Sequence, residues 1–135
     1  IARRLISQFG VWNLLFVSIA LTGLRWYVMA AFVDTFMVIV LSQLIHALSF
    51  GLTHAVSVHF IHQFLPKAYQ SRGQAVYISI AFGLGGAFGN YMAGQQWQQG
   101  TNAYETFVTA AVFAAIGALS LLLCSKKEME SAKAA

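Results

Sequence analysis

Charged residues are scarce in this sequence. They make up only 9% of its 135 residues, whereas hydrophobic residues make up 59%. An ordinary soluble domain is about a quarter charged, so this chain has too few charges to cover a surface that faces water. The composition therefore predicts an integral membrane protein that is surrounded by the lipid bilayer.

Acidic residues are rarer still, and none of them lies deep inside an apolar stretch. The chain has only four: Asp34, Glu105, Glu128 and Glu130. General acid–base chemistry by paired carboxylates needs two such groups side by side. No Ser/His/Asp or Cys/His arrangement takes their place. We therefore expect no enzyme activity and no cofactor.

Cysteine is nearly absent as well. Cys124 stands alone, so the chain can form no internal disulfide and no cysteine-based metal cluster. Four histidines lie within 17 residues: His46, His54, His59 and His62. On a helix, His46 and His54 are two turns apart, and the other two point elsewhere. We therefore expect no metal site.

Long apolar runs dominate the rest of the chain. We predict four helices that cross the membrane, at 11–32, 36–62, 74–97 and 104–124. Asp34 or Thr35 can cap the second of these helices, and Pro66 stops it. The fourth helix is nearly all apolar and small, and we expect it to face lipid. Residues 125–135 are expected to form a mobile, charged tail in the cytoplasm.

Basic residues are unevenly distributed over the connecting segments. Of the eight Lys and Arg residues, seven lie outside the predicted helices: Arg3, Arg4, Lys67, Arg72, Lys126, Lys127 and Lys133. With four helices all seven lie on one side of the membrane, and the positive-inside rule makes that side cytoplasmic. We thus expect a multi-pass protein of the bacterial inner membrane with both ends of this chain in the cytoplasm. Charges scattered in this way argue against a nucleic-acid partner.

The second predicted helix has one polar face. At 100° per residue, a single arc of about 140° holds Ser42, Gln43, His46, Ser49, Thr53, His54 and Ser57. A membrane helix with such a face is suited to line a polar space. His46 lies near the middle of the helix, where imidazole can take or give a proton near neutral pH. A neutral structural histidine is the alternative interpretation.

Arg25 is the one basic residue inside a predicted helix. Its guanidinium cannot lose its charge and must find partners or water. Ser18 and Thr22 share its face, and counting from the turn at Asp34 places Arg25 within about one turn of the depth of His46. Arg25 can therefore bind a substrate or take part in a transport cycle. Alternatively, it snorkels to the outer interface.

The third predicted helix is rich in glycine. We expect close helix packing at Gly83, Gly85, Gly86 and Gly89. A sliding or hinging helix is the alternative. Gln74 and Tyr77, near the cytoplasmic end of this helix, can reach a cavity.

Three segments together resemble the major facilitator superfamily. They are LRW at 24–26, SQLIHALSFGLTHAVSVHFI at 42–61 and QAVYISIAFGLGGAFGNYMAG at 74–94. Their order is similar to the last four of twelve helices in the branch that holds lactose permease, the nucleoside permeases and the phenylpropionate-type permeases. The phenylpropionate-type group is the most similar. The start at Ile1 also favours a piece of a longer protein over a trimmed small one.

This resemblance implies a twelve-helix all-α fold whose N-terminal helices are missing from the sequence given. It implies a proton-coupled symporter for a small organic substrate such as an aromatic acid, a sugar or a nucleoside. Arg25 and His46 match an arginine and a histidine that serve proton coupling and substrate binding in lactose permease. Ser49 stands where that carrier has an essential glutamate, so the acid of its proton relay is missing here. The expected binding or coupling residues are Arg25, Gln43, His46, Ser49, His54, Gln74 and Tyr77.

A protein of another class stays open as the alternative. The chain could be a free-standing four-helix membrane protein, either a small exporter or a subunit that assists assembly without transporting. Small exporters need a carboxylate within the membrane, and the sequence offers none at that depth.

Overall fold

The computed structural model describes residues 2–131, and nearly all of them are helical. The α-helices are α1 (Ala2–Phe9), α2 (Val11–Ala31), α3 (Phe36–Phe64), α4 (Gln70–Ile78), α5 (Gly85–Trp97), α6 (Ala103–Ser120) and α7 (Lys126–Ser131). No strand occurs between residues 2 and 131. The all-α prediction is therefore confirmed for this part of the chain, while Lys133 and the end of the predicted tail lie outside it.

Three helical stretches are long and apolar enough to cross a membrane: Val11–Ala31, Phe36–Phe64 and Ala103–Leu123. The helix predicted at 74–97 is divided among α4, a π turn at Ser79–Leu84 and α5, each too short to span a bilayer by itself. The backbone stays right-handed helical at both junctions, so the three segments form one continuous rod. A fourth span therefore stays a prediction.

Helix α2 lies between α3 and α6 and packs along both. Towards α3, the hydroxyl of Thr53 lies 2.8 Å from Ser18 Oγ, and Ser18 is fully buried. Towards α6, a Cβ on Gly23 would lie 3.4 Å from the Cβ of Ala114, so the two backbones approach closely. The prediction that the fourth helix faces lipid is therefore wrong for one side of α6, which packs against α2.

The turn between α2 and α3, at residues 32–35, is one residue longer than predicted, and it is not closed by a side chain. Thr35 occupies the cap position of α3 without a side-chain hydrogen bond to the helix. Its backbone carbonyl instead accepts from Val38 and Ile39. At the other end, α3 stops at Phe64, two residues before Pro66, because proline cannot continue a helix.

The glycine-rich part of the rod contacts α6 through its aromatic side chains, with Phe88 and Phe113 5.9 Å apart between ring centroids. Its glycines make no close contact with another helix among residues 2–131. A Cβ on Gly83, Gly86 or Gly89 would meet no atom within 4 Å, and one on Gly85 would meet only the carbonyl of Ile80 at 3.4 Å. Small residues favour close helix packing, but no helix among these residues lies that close to the four glycines. The packing role of these glycines stays a prediction.

As far as Ser131 the tail forms a helix, α7, that docks on the start of α2. Glu130 Oε1 accepts a hydrogen bond of 3.2 Å from the backbone N–H of Trp12. Trp12 lies in the first turn of α2, where N–H groups lack helical partners and negative charge is stabilised. Lys126 Nζ donates to Asn13 Oδ1 at 2.9 Å. Gly10, with φ of 80°, leaves room for the carboxylate, since a Cβ there would collide with Glu130.

Replacing Glu130 with alanine should release α7. Loss of a helix-capping carboxylate costs about 1 kcal/mol, which makes the undocked form roughly five-fold more populated. Trypsin should therefore cleave after Lys126 and Lys127 about five-fold faster in detergent. Glu128→Ala is the matched control, since the carboxylate of Glu128 makes no hydrogen bond to the described residues. Equal cleavage of both variants would show that Glu130 does not hold the tail.

Candidate functional site

Helices α2, α3 and α6, together with α4 and the π turn of the rod, border an open cavity of about 500 Å³. Its polar lining residues are Thr22, His46, Thr53, His54, Ser57 and Tyr77. Its aromatic lining residues are Phe50, Phe82 and Phe113. The cavity thus combines hydrogen-bonding groups with ring faces, as small-molecule sites commonly do.

One part of the polar face of α3 is buried, and another part lines the cavity. Ser42, Ser49 and Val56, spaced seven residues apart, are buried, and Val56 clusters with Leu14 and Leu15 of α2. A spacing of seven returns a helix to nearly the same direction. Ser49 donates to the carbonyl of His46 within its own helix. From the polar face, the cavity is therefore reached by His46, Thr53, His54 and Ser57.

His46 and His54 both line the cavity. The ring of His46 lies 5.5 Å from that of Phe50, and its Nδ1 is buried without a hydrogen-bond partner in the described part of the chain. His54 approaches Tyr77, whose hydroxyl oxygen lies 3.5 Å from Nδ1. Within residues 2–131 there is no group of three His, Cys, Asp or Glu side chains that could hold a metal ion.

Arg25 lies outside the cavity lining, although Thr22, one turn earlier on α2, belongs to it. The side chain is only 3% exposed. Its guanidinium lies 3.9 Å above the ring of Trp26, and Nη1 lies 3.3 Å from the sulfur of Met29. Nε is buried and has no partner in the range 2–131. The side chain of Arg25 is thus buried against Trp26 and Met29 rather than exposed.

The remaining predicted residues are not brought to the cavity. Gln43 is exposed, and its amide donates to the carbonyl of Ile39 within the same helix. Ser49 is buried, and Gln74 is half-buried on α4. The structure therefore brings together His46, His54 and Tyr77, and leaves the other four apart from them.

Two aromatic residues of the cavity were missed by sequence reasoning. Phe82 reaches it from the π turn, which the regular 100° periodicity does not anticipate. Phe113 reaches it from α6, where an uninterrupted apolar composition predicted lipid contact. An aromatic residue amid small ones was the only available signal, and it is weak because aromatics also face lipid.

Membrane-length helices beside a partly polar cavity define a multi-pass membrane protein. Residues 1–109 match the MFS_1-like family, and the chain belongs to that family. The chain is also 28% identical over 130 residues to the maltose permease of Geobacillus stearothermophilus. Family and relative point to transport rather than enzyme catalysis.

The match covers 94% of this chain but only 32% of the maltose permease, so the chain spans about a third of the length of that relative. No solved structure matches the chain.

Proposed function

We propose that this chain is the C-terminal part of a secondary active transporter of the major facilitator superfamily. The cavity among α2, α3, α6 and the α4–α5 rod carries this proposal, since it places imidazole, hydroxyl and phenol groups between membrane-length helices. Transporters of this superfamily bind their substrate near the middle of the bilayer, between two halves that rock to alternate access.

The proposed topology has four spans and both ends of the chain in the cytoplasm of a bacterial inner membrane. The fourth span is the rod from α4 to α5, whose continuous backbone supports it. The missing helices would precede this chain. A match to about a third of the relative supports a longer carrier.

The proposed substrate is a small organic molecule, an aromatic acid, a sugar or a nucleoside, carried together with a proton. The relative named maltose permease supports the sugar. The rings of Phe50, Phe82 and Phe113 suit any molecule with a flat or apolar face. His46 and His54 would bind the substrate or the proton, and Arg25 would supply the positive charge beside the cavity.

Vesicles that contain the full-length protein should accumulate one of these substrates when the outside is made more acidic than the inside. Radiolabelled maltose, uridine and 3-phenylpropionate would serve as probes, and a protonophore should abolish the accumulation. Vesicles without the protein are the necessary control, because a weak acid also distributes passively with the gradient. Equal accumulation of all three probes in both kinds of vesicle would contradict the proposed function.

A further inference from the structure

Tyr77 and Phe82 lie five residues apart, yet their rings meet in the cavity. The ring centroids are 5.9 Å apart and the rings are nearly perpendicular, at 79°. In a regular α-helix, residues five apart point about 140° away from each other. The intervening π turn at Ser79–Leu84 widens the helix so that this spacing falls on one face. The π turn is therefore what aligns these two side chains.

The aligned rings help to enclose the imidazole of His54. Phe50 lies nearly parallel to it, at 5° and 6.4 Å between centroids. Phe82 approaches it edge-on at 5.8 Å, and Tyr77 is tilted by 30° at the same distance. Aromatic rings in these arrangements attract one another and restrict rotation. Three rings from two helical segments thus fix the orientation of His54.

The hydroxyl of Tyr77 lies 3.5 Å from Nδ1 of His54. In a neutral imidazole one nitrogen accepts a hydrogen bond and the other carries the hydrogen. A donor beside one nitrogen makes that nitrogen the acceptor and leaves the hydrogen on the other. If the phenol donates to Nδ1, the hydrogen is on Nε2. Nε2 has no hydrogen-bond partner among the described residues. Since His54 lines the cavity, a bound molecule can supply that partner.

We propose that Tyr77 is a positioning residue that holds His54 in the Nε2–H tautomer, so that this N–H donates to the molecule bound in the cavity. The proposal rests on the proposed function, in which the cavity is the substrate site. It assigns the donor role to His54, at the edge of the polar face, rather than to the more central His46. The complementary substrate presents a hydroxyl, carbonyl or carboxylate oxygen beside an apolar surface, and a group that only donates hydrogen bonds is disfavoured.

Nitrogen NMR of the full-length protein labelled with ¹⁵N-histidine tests this without any ligand. At pH 8 the tautomer of each neutral ring is read from its two nitrogen shifts. His54→Gln identifies the signal of His54. Removing the hydroxyl in Tyr77→Phe should lower the ratio of the Nε2–H to the Nδ1–H form about five-fold, as expected for loss of one neutral hydrogen bond.

Tyr91→Phe is the matched control, because Tyr91 lies on the same rod, is 64% exposed and does not line the cavity. It should leave the His54 signals unchanged. An unshifted His46 signal in Tyr77→Phe would show that the fold is intact. Wild-type His54 protonated on Nδ1, or the same tautomer ratio with and without the Tyr77 hydroxyl, would overturn the proposal. If the ratio changes as expected but the protein moves none of the probes, the positioning role stands and the proposed function fails.

Discussion

Replacing Arg25 with alanine should reduce substrate uptake by the full-length protein about 30-fold or more, without reducing the amount of protein in the membrane. Truncating one member of a buried charged pair costs about 2–5 kcal/mol, and about 1.4 kcal/mol corresponds to a factor of ten. This cost applies to Arg25 because it is buried within a membrane-length helix and must keep its charge. The measurement is uptake of the transported probe, divided by protein quantified on an immunoblot.

The counter-charge of Arg25 is missing from the described part of the chain. The guanidinium contacts the ring of Trp26 and the sulfur of Met29, and its Nε has no partner there. A ring and a thioether compensate a charge only partly, since both are weak acceptors. We therefore infer that an anionic group of the substrate, or an acid from the rest of the full-length protein, completes this site.

Arg72→Ala is the control for the loss of one positive charge. Arg72 is exposed, and its nearest ring, that of Tyr69, lies 6.0 Å away. Its removal should leave uptake within about two-fold of the wild type, because exposed charges contribute little. Arg25→Ala with unchanged uptake would mean that Arg25 only packs against Trp26.

Helix positions in this chain were largely predictable, because they depend on local signals. The predicted starts at residues 11 and 36 agree with α2 and α3, since a short polar turn interrupts two long apolar runs. Pro66 fixed the end of α3 within a few residues. By contrast, the docking of α7 on α2 could not be predicted, since Glu130 and Trp12 are separated by more than a hundred residues of sequence.

The candidate site was only partly predictable. Periodicity gives the direction of each side chain on α3, but it does not tell which neighbouring helix covers that direction. Ser49 and His46 share the polar face, yet Ser49 is fully buried and His46 borders the cavity. Phe82 was missed for another reason. The π turn shifts the register of the rod, and the regular spacing of a sequence pattern does not reveal such a turn.

Replacing His46 with alanine should lower uptake about 10- to 100-fold, both for accumulation driven by a pH gradient and for exchange without one. The imidazole of His46 lines the cavity, so alanine would remove its contact with a molecule bound there. Leaving a buried polar group of that molecule without its partner costs about 1–3 kcal/mol. Exchange of labelled for unlabelled substrate across vesicles with equal pH on both sides measures binding and translocation without coupling.

The environment of Ser49 is what favours a binding role for His46 over proton transfer. The proposed resemblance to lactose permease would place a glutamate of that carrier at the position of Ser49. Here the serine hydroxyl is fully buried and bonded to the carbonyl of His46, so no acid stands next to the imidazole on α3. His62→Ala is the control, since His62 is exposed near the end of the same helix, and it should leave both activities unchanged. Loss of accumulation with intact exchange in His46→Ala would instead make His46 the proton carrier and would contradict the binding role.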